Sequence, residues 1–209
     1  MVMFEGYGLG WVVKINTAAG DQFTKTESLA RQDAGGPGSE PALVNAETRA
    51  LYALVAQQPF FQGMNQKHLL MLTESALVME FEPDQVLLKE GGPANRFYLI
   101  LEGKVVFEME TDANGATIPI QTLGPGDDVG WSWLFPPYSL HFSARAVEPT
   151  KTIFFYGTRL REQCELDHEF GYQLMTRVAD VLAKRLVATR LQLLDLFSPS
   201  VSGDRSDGS

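Results

Sequence analysis

The sequence predicts an α+β protein: a small antiparallel β-barrel or jelly roll (double-stranded β-helix) flanked by N-terminal helices and a long C-terminal helix. Two observations lead to this fold class. Between Leu77 and Tyr156, many short strand-forming runs are separated by glycine-rich turns. Before and after this stretch, apolar residues recur with the period of an α-helix, most continuously over residues 168–197.

The N-terminal helices are predicted from spacing and from breaker residues. A first helix is expected over residues 47–57, where four apolar residues form a helical stripe: Ala50, Leu51, Leu54 and Val55. Pro59 ends this helix. Asn65 has a side chain suited to cap a second, short helix that continues through Leu72.

The central stretch alternates between strand-forming runs and turns. Runs rich in Val, Ile, Leu, Phe and Tyr predict strands at 86–88, 97–101, 105–107, 144–147 and 152–156. Ile118 and Ile120 alternate with other residues and predict one more strand. Asn114-Gly115, just before that strand, is typical of a hairpin turn because both residues tolerate a positive φ.

The C-terminal part is predicted to be helical, with Thr158 capping a helix over residues 160–166 and a longer helix following over about 168–197. One stripe of the longer helix is formed by Met175, Val178, Leu182, Leu186 and Leu193. More apolar residues lie beside it, and the helix is longer than one small barrel needs. We expect a homodimer in which Leu182, Leu186 and Leu193 meet a second copy. The alternative is that the whole helix packs on its own barrel.

Three segments are predicted along the chain. Residues 1–45 are expected to be a disordered leader, because this part is rich in small and polar residues and contains Gly35-Gly36-Pro37-Gly38. Residues 46–197 are expected to form the folded domain with its C-terminal dimerisation helix. Residues 198–209 hold one aliphatic side chain, Val201, and are expected to be a disordered tail.

Composition excludes several classes of function. The 17 Lys and Arg against 26 Asp and Glu give a formal net charge of −9, which argues against a chain that mainly binds phosphate backbones. The single cysteine, Cys164, excludes an internal disulfide framework and a cysteine-ligated zinc or iron–sulfur site, and it fits a cytoplasmic location. No apolar run is long enough to suggest a membrane span. The three histidines are scattered, so neither a metal nor another cofactor is predicted.

The central stretch carries a family signature. Residues 97–105, Phe-Tyr-Leu-Ile-Leu-Glu-Gly-Lys-Val, resemble the aromatic-Tyr-x-Ile-x-x-Gly-x-Val pattern of cyclic nucleotide-binding domains. Pro59-Phe60-Phe61, Lys89-Glu90-Gly91 and 123–127 match that family in order and spacing. The resemblance covers residues 46–197. It implies a sensor module like that of the cAMP receptor protein and Fnr, here standing alone without their helix-turn-helix domain.

The residues expected to hold a nucleotide depart from the family pattern. In that family the phosphate lies at the start of a short helix, an arginine neutralises it, and a glutamate accepts the ribose hydroxyl. In residues 126–134 of this chain, Trp131 stands at the glutamate position. The arginine position falls on Leu140 when the alignment is anchored on Arg145-Ala146, and on Phe142 when it is anchored on Ser143-Ala144. Strand alternation places Arg145 on the opposite face unless a bulge intervenes.

Aromatic side chains take the place of these polar groups in residues 126–142, which we call the cassette. Three interpretations stay open: the aromatic side chains close the barrel mouth, they line a pocket for a less anionic ligand, or a conventional cyclic nucleotide binds. The candidate ligand contacts are Gly126, Gly130, Trp131, Ser132, Trp133, Leu134, Tyr138, Leu140, Phe142 and Arg145.

The sequence therefore favours a non-catalytic regulatory module, because no nucleophile, base or metal-ligand set converges. It allows a small-molecule or nucleotide ligand, and cAMP or cGMP is not expected to bind in the usual way. No DNA-binding domain is recognised after residue 197, so direct DNA binding is not expected and signalling would pass through an unidentified protein partner. A hypothesis of another class is a structural or scaffold subunit whose pocket is permanently closed.

Overall fold

The computed structural model describes residues 12–14, 46–111 and 116–197. In this part of the chain, nine strands form two sheets around one apolar core, which confirms the predicted jelly roll. The strands are β1 (Val12–Lys14), β2 (Leu77–Phe81), β3 (Val86–Leu88), β4 (Arg96–Glu102), β5 (Val105–Glu110), β6 (Thr117–Leu123), β7 (Asp128–Val129), β8 (Ser143–Ala146) and β9 (Thr150–Tyr156). One sheet has the order β1-β2-β9-β4-β7 and the other β3-β8-β5-β6. All pairings are antiparallel except that of β1 with β2.

Helices precede and follow the barrel. They are α1 (Ala46–Ala56), α2 (Gln66–Ser75), α3 (Gly157–Leu166) and α4 (His168–Phe197), with short 3-10 helices at Pro59–Phe61 and Trp131–Leu134. Asn65 caps α2 as predicted, because its side-chain oxygen accepts a hydrogen bond from the amide of His68 at 2.9 Å. Among the described helices, none combines the length and the apolarity needed to cross a membrane.

The buried apolar residues form two clusters, one inside the barrel and one between the first sheet and the helices. Strands β4 and β9 contribute to both, because successive side chains of a strand point to opposite faces. Tyr98 and Phe154 lie inside the barrel, whereas Phe97 and Phe155 pack under the helices. Burial on both faces explains why these two strands read as continuous apolar runs rather than as alternating ones.

The structure differs from the sequence prediction at the start of α3. The helix begins at Gly157 directly after Tyr156, so Thr158 lies inside its first turn and does not cap it. A side chain at Gly157 is excluded, because its Cβ would come within 2.6 Å of the Cβ of Trp133. Strand β1 lies within the predicted leader. The rest of that leader, the predicted tail and the predicted hairpin turn at residues 112–115 lie outside the described residues.

Helix α4 is held on the molecule by its first half. Its inner face buries three side chains completely: Phe170, Leu174 and Val178. Val181 and Leu182 are half-buried against the same cluster. Met175 is 45% exposed, so it does not continue the buried stripe as predicted. All side chains of residues 186–195 are exposed, and we call this part the outer segment of α4.

Candidate functional site

The cassette turns sharply from strand into 3-10 helix at Gly130. Gly130 has φ 95°, a left-handed conformation that favours glycine. A Cβ here would lie 2.6 Å from the carbonyl oxygen of Arg96 and 2.9 Å from Cδ1 of Leu88. The close approach places the start of the Trp131–Leu134 helix directly against β4 and β3. The helix is followed by a cis peptide bond between Pro136 and Pro137.

Trp133 points away from the barrel interior and into the cluster under the helices. It is fully buried, and its ring lies 5.9 Å from that of Phe97 in an edge arrangement. Its carbonyl oxygen accepts a hydrogen bond of 2.6 Å from Arg161 of α3, and the Arg161 guanidinium lies over the ring of Tyr138 at 4.3 Å. Trp133 therefore fixes the cassette to α3 rather than filling the barrel mouth.

Trp131 lies between the helix-side cluster, against which it packs, and the barrel mouth, where it lines a cavity. It is half-buried, and its ring stacks at 6.0 Å on His141 and meets Phe135 edge-on at 6.4 Å. Inside the mouth, the rings of Phe107 and Phe142 stack at 5.8 Å with only 18° between their planes. Leu140 is buried beside them in the barrel cluster.

These side chains leave a cavity of about 10 Å³ beside the cassette. It is lined by Leu88, Phe107, Gly130, Trp131, Ser132, Leu140, His141 and Phe142. A single water molecule needs about 10–15 Å³ of such space, so the cavity holds one water at most. The barrel mouth is closed by the protein's own side chains.

The predicted site residues separate into four groups. Five of them line the cavity together: Gly130, Trp131, Ser132, Leu140 and Phe142. Trp133, Leu134 and Tyr138 turn toward the helices, the first two packing in the cluster beneath them. Gly126 lies at the preceding turn, where a Cβ would come within 3.2 Å of the Pro59 ring.

Arg145 lies on the outer face of β8, because its neighbours Ala144 and Ala146 point into the barrel. Its guanidinium forms an ion pair with the buried Glu108 through two nitrogens and another with Asp84 at 2.8 Å. These contacts hold the pKa of Arg145 above its usual value, chiefly through the hydrogen bond to Glu108. The charge of Arg145 is thus neutralised on the side of the sheet away from the cavity.

Sequence reasoning did not identify a buried ion pair between the cassette and α4. Asp128 of β7 is 4% exposed, and its side chain accepts a hydrogen bond of 3.0 Å from Arg185 of α4. The same nitrogen of Arg185 donates to the Asp128 carbonyl at 2.6 Å. Burial raises the pKa of Asp128 to about 6, although the positive charge of Arg185 opposes this rise. The available signal was spacing, since Arg185 follows the buried Val178 by two helical turns.

Comparison with known proteins shows what the central part of the chain resembles. Residues 78–167 match the family model of the cyclic nucleotide-binding domain. A CRP-like cAMP-activated global transcriptional regulator from Mycobacterium tuberculosis is 27% identical over 150 residues, or 72% of this chain. The chain spans 65% of that relative's length. The matched stretch, residues 78–167, is therefore similar to a cyclic nucleotide-binding domain.

Solved structures share the fold. A Geobacter metallireducens protein described as cyclic nucleotide-binding is 28% identical, with a TM-score of 0.58; the match covers 66% of this chain and 97% of that one. The regulatory subunit of a cAMP-independent protein kinase A from Trypanosoma brucei, as a triple mutant bound to cAMP, is 25% identical with a TM-score of 0.53. That match covers 66% of this chain and 47% of the other. In the described part of this chain, no three His, Cys, Asp or Glu side chains are grouped to hold a metal ion.

Proposed function

We propose that this chain is a non-catalytic regulatory module that does not bind cAMP or cGMP in the usual way and acts through protein contacts. The observation that supports it most directly is the cavity of about 10 Å³ beside the cassette. Pockets for small ligands typically measure about 300–1,000 Å³. A nucleotide could enter only after the side chains of Trp131, Leu140 and Phe142 had moved aside.

The chemistry of the cavity wall supports the same proposal. Its eight lining residues include no arginine, lysine or carboxylate. A nucleotide phosphate placed here would lose its hydration without gaining a cation, which is costly in an apolar site. Arg145 is engaged by Glu108 and Asp84 on the outer face of the sheet and does not supply that cation.

The Trypanosoma brucei relative gives a precedent for this kind of module. It is described as a regulatory subunit of a cAMP-independent kinase, and its triple mutant carries cAMP in one site. One of the three substitutions in that mutant exchanges threonine for arginine. For the present chain we infer that missing charges, together with the closed mouth, account for weak nucleotide binding.

Restoring the charges tests this proposal. The double variant Leu140→Arg with Trp131→Glu introduces the two family groups at the cavity wall. We expect cAMP to raise its melting temperature, because a ligand at 100 times its dissociation constant stabilises by about 2.7 kcal/mol. The control Leu140→Gln with Trp131→Gln has similar size and polarity without the charges and is expected not to respond. A wild-type chain whose melting temperature rises with cAMP would contradict the proposal.

For the partner, we propose a homodimer formed through the outer segment of α4. Leu186, Leu191 and Leu193 are 71%, 57% and 50% exposed, and burial of such side chains against a second copy is favourable. Leu182 is half-buried in the protomer's own cluster, so it supports the helix from within. With a net charge of −9, the chain as a whole fits a further protein partner better than DNA.

A scaffold subunit with a permanently closed pocket is the second candidate, and the small volume of the cavity, about 10 Å³, favours it. The two functions differ in their response to ligands. Melting scans against a library of nucleotides and metabolites should show stabilisation by at least one compound for a sensor and by none for a scaffold.

A further inference from the structure

The edges of the two sheets differ in how they are protected from pairing with another strand. Strands β3 and β7 are only three and two residues long. Strand β6 is longer, but it contains Pro119, which has no N–H to donate and so discourages a further strand. Strand β2 has five residues without a proline, and only β1 covers the edge that faces away from β9. Within the described part of the chain, the β2 edge is therefore the long edge that is suited to accept a strand.

Strand β1 covers this edge incompletely. It lies parallel to β2 and opposite its central residues, Val78, Met79 and Glu80. At the two ends, Leu77 and Phe81 have no strand partner on this edge among the described residues. Parallel pairing is also slightly less stable per residue than antiparallel pairing. An extended segment as long as β2 would form more main-chain contacts than β1 does, so such a segment can displace β1.

The chemistry of the edge indicates which segment fits. Lys14 of β1 lies opposite Glu80 in the register. The Glu80 carboxylate contacts Lys151 at 3.9 Å, and because both side chains are partly exposed, this ion pair is weak and leaves room for a second cation. Glu82 is exposed and adds negative charge nearby, whereas Leu77 at the start of β2 is 39% exposed. A parallel segment that fits this edge therefore has an apolar residue opposite Leu77 and a basic residue opposite Glu80.

We propose that the β2 edge is a docking site for an extended segment of a partner protein, and that β1 occupies this site until such a segment displaces it. The incoming segment lies parallel to β2, its main-chain hydrogen bonds supply affinity, and its basic residue opposite Glu80 supplies selectivity. The site gives a surface to the protein contacts of the proposed function, and in that respect it rests on that function. Its formation requires neither the cassette nor α4.

A fluorescent peptide with the sequence of residues 9–17, which includes β1, is the probe for this site. In the full-length chain, Val12→Pro with Val13→Pro removes two successive N–H groups of β1, and since successive N–H groups of a strand point to opposite sides, one of them faces β2. We expect the peptide to bind this variant at least about tenfold more tightly than wild type, because β1 no longer competes from within the chain. The control Thr24→Pro with Lys25→Pro changes the chain outside β1 and should behave as wild type. Fluorescence anisotropy measures the binding, and equal affinity for wild type and the β1 variant would overturn the proposal.

The charge of Glu80 tests the register. A peptide carrying Lys14→Glu should bind the β1 variant more weakly than the original peptide, and adding Glu80→Lys to the protein should reverse this order. Equal binding of both peptides would contradict the parallel register on which the proposal depends.

Hydrogen exchange of the isotope-labelled wild-type chain, followed by NMR, tests the displacement without any substitution. Excess unlabelled peptide should speed the exchange of the amides of residues 12–14 while those of residues 77–81 stay protected, because the peptide takes the place of β1. Unchanged exchange of residues 12–14 would overturn the proposal. These measurements use no nucleotide, so their outcome is independent of whether the restored cassette binds cAMP.

Discussion

At the scale of single residues, the two tryptophans of the cassette have different roles. Trp133 is fully buried and packs against Phe97, whereas Trp131 is half-buried and lies at the cavity. We expect Trp133→Ala to lower the free energy of unfolding by about 3–5 kcal/mol, through lost burial and a residual cavity. Trp131→Ala should cost clearly less. Urea denaturation measures both, and equal losses would contradict this division of roles.

The buried carboxyl group of Asp128 predicts a pH dependence of stability. Its pKa is raised from 3.8 to about 6 in the folded chain, so between these pH values the folded state binds more protons than the unfolded state. Stability from this group is therefore present below about pH 4 and is lost as the pH rises through about 6. A shift of this size corresponds to about 3 kcal/mol.

The difference in unfolding free energy between wild type and Asp128→Asn isolates this effect, because the other carboxyl groups are shared. Asp167 is one of them, and its pKa is lowered by the hydrogen bond from Lys67, which gives a pH dependence of the opposite sign. Between about pH 4 and pH 6.5, the unfolding free energy of wild type should fall relative to that of Asp128→Asn. Above that range, the difference between the two should stay constant. A difference independent of pH would show that Asp128 titrates normally.

At the scale of elements, α4 combines an inner half that belongs to the core with an outer segment that offers an apolar surface. Truncation after Arg177 would also remove Val178 and Val181, which pack in the cluster between the first sheet and the helices. It would therefore destabilise the chain whatever its oligomeric state. Point substitutions in the outer segment give a cleaner test of the proposed dimer.

We expect Leu186→Glu together with Leu193→Glu to convert the dimer to monomer, because the charges would have to be buried in the seam. Both side chains are at least half exposed in the protomer, so its melting temperature should change little apart from the loss of dimer. Thr189→Glu and Arg190→Glu add two acidic side chains to the same exposed segment and serve as the control. Sedimentation velocity distinguishes the species, and an unchanged dimer in the leucine variant would place the interface elsewhere.

The elements themselves were largely predictable from the sequence. Strands β3 to β6, β8 and β9 follow from short apolar runs between turn residues, and α2 follows from the cap at Asn65. The start of α3 was not predictable from Thr158, because the close packing of Gly157 on Trp133 decides where that helix begins. Strand β1 depends on pairing with β2, more than 60 residues away in the sequence, and no local pattern indicates it.

At the scale of the whole molecule, the family resemblance anticipated the fold, but the state of the site depends on contacts between distant parts of the chain. The stacking of Phe107 on Phe142 joins β5 to the cassette, and the pairing of Asp128 with Arg185 joins residues 57 apart. Composition and spacing do not encode such pairs. Trp131 and Leu140 stand where the family has charged side chains, so the sequence predicted that these charges are missing. It left closure of the barrel mouth as one of three interpretations, and the small cavity in the structure favours that one.

Calorimetric titration of the full chain with cAMP tests the central claim most directly. A closed cavity without an arginine or glutamate predicts a dissociation constant no tighter than about 1 mM, equivalent to about −4.1 kcal/mol. The heats should then be indistinguishable from dilution at micromolar concentrations of ligand. Saturable heat with a micromolar dissociation constant and one site per chain would contradict the account, because the cavity would have to open and supply a counter-charge for the phosphate.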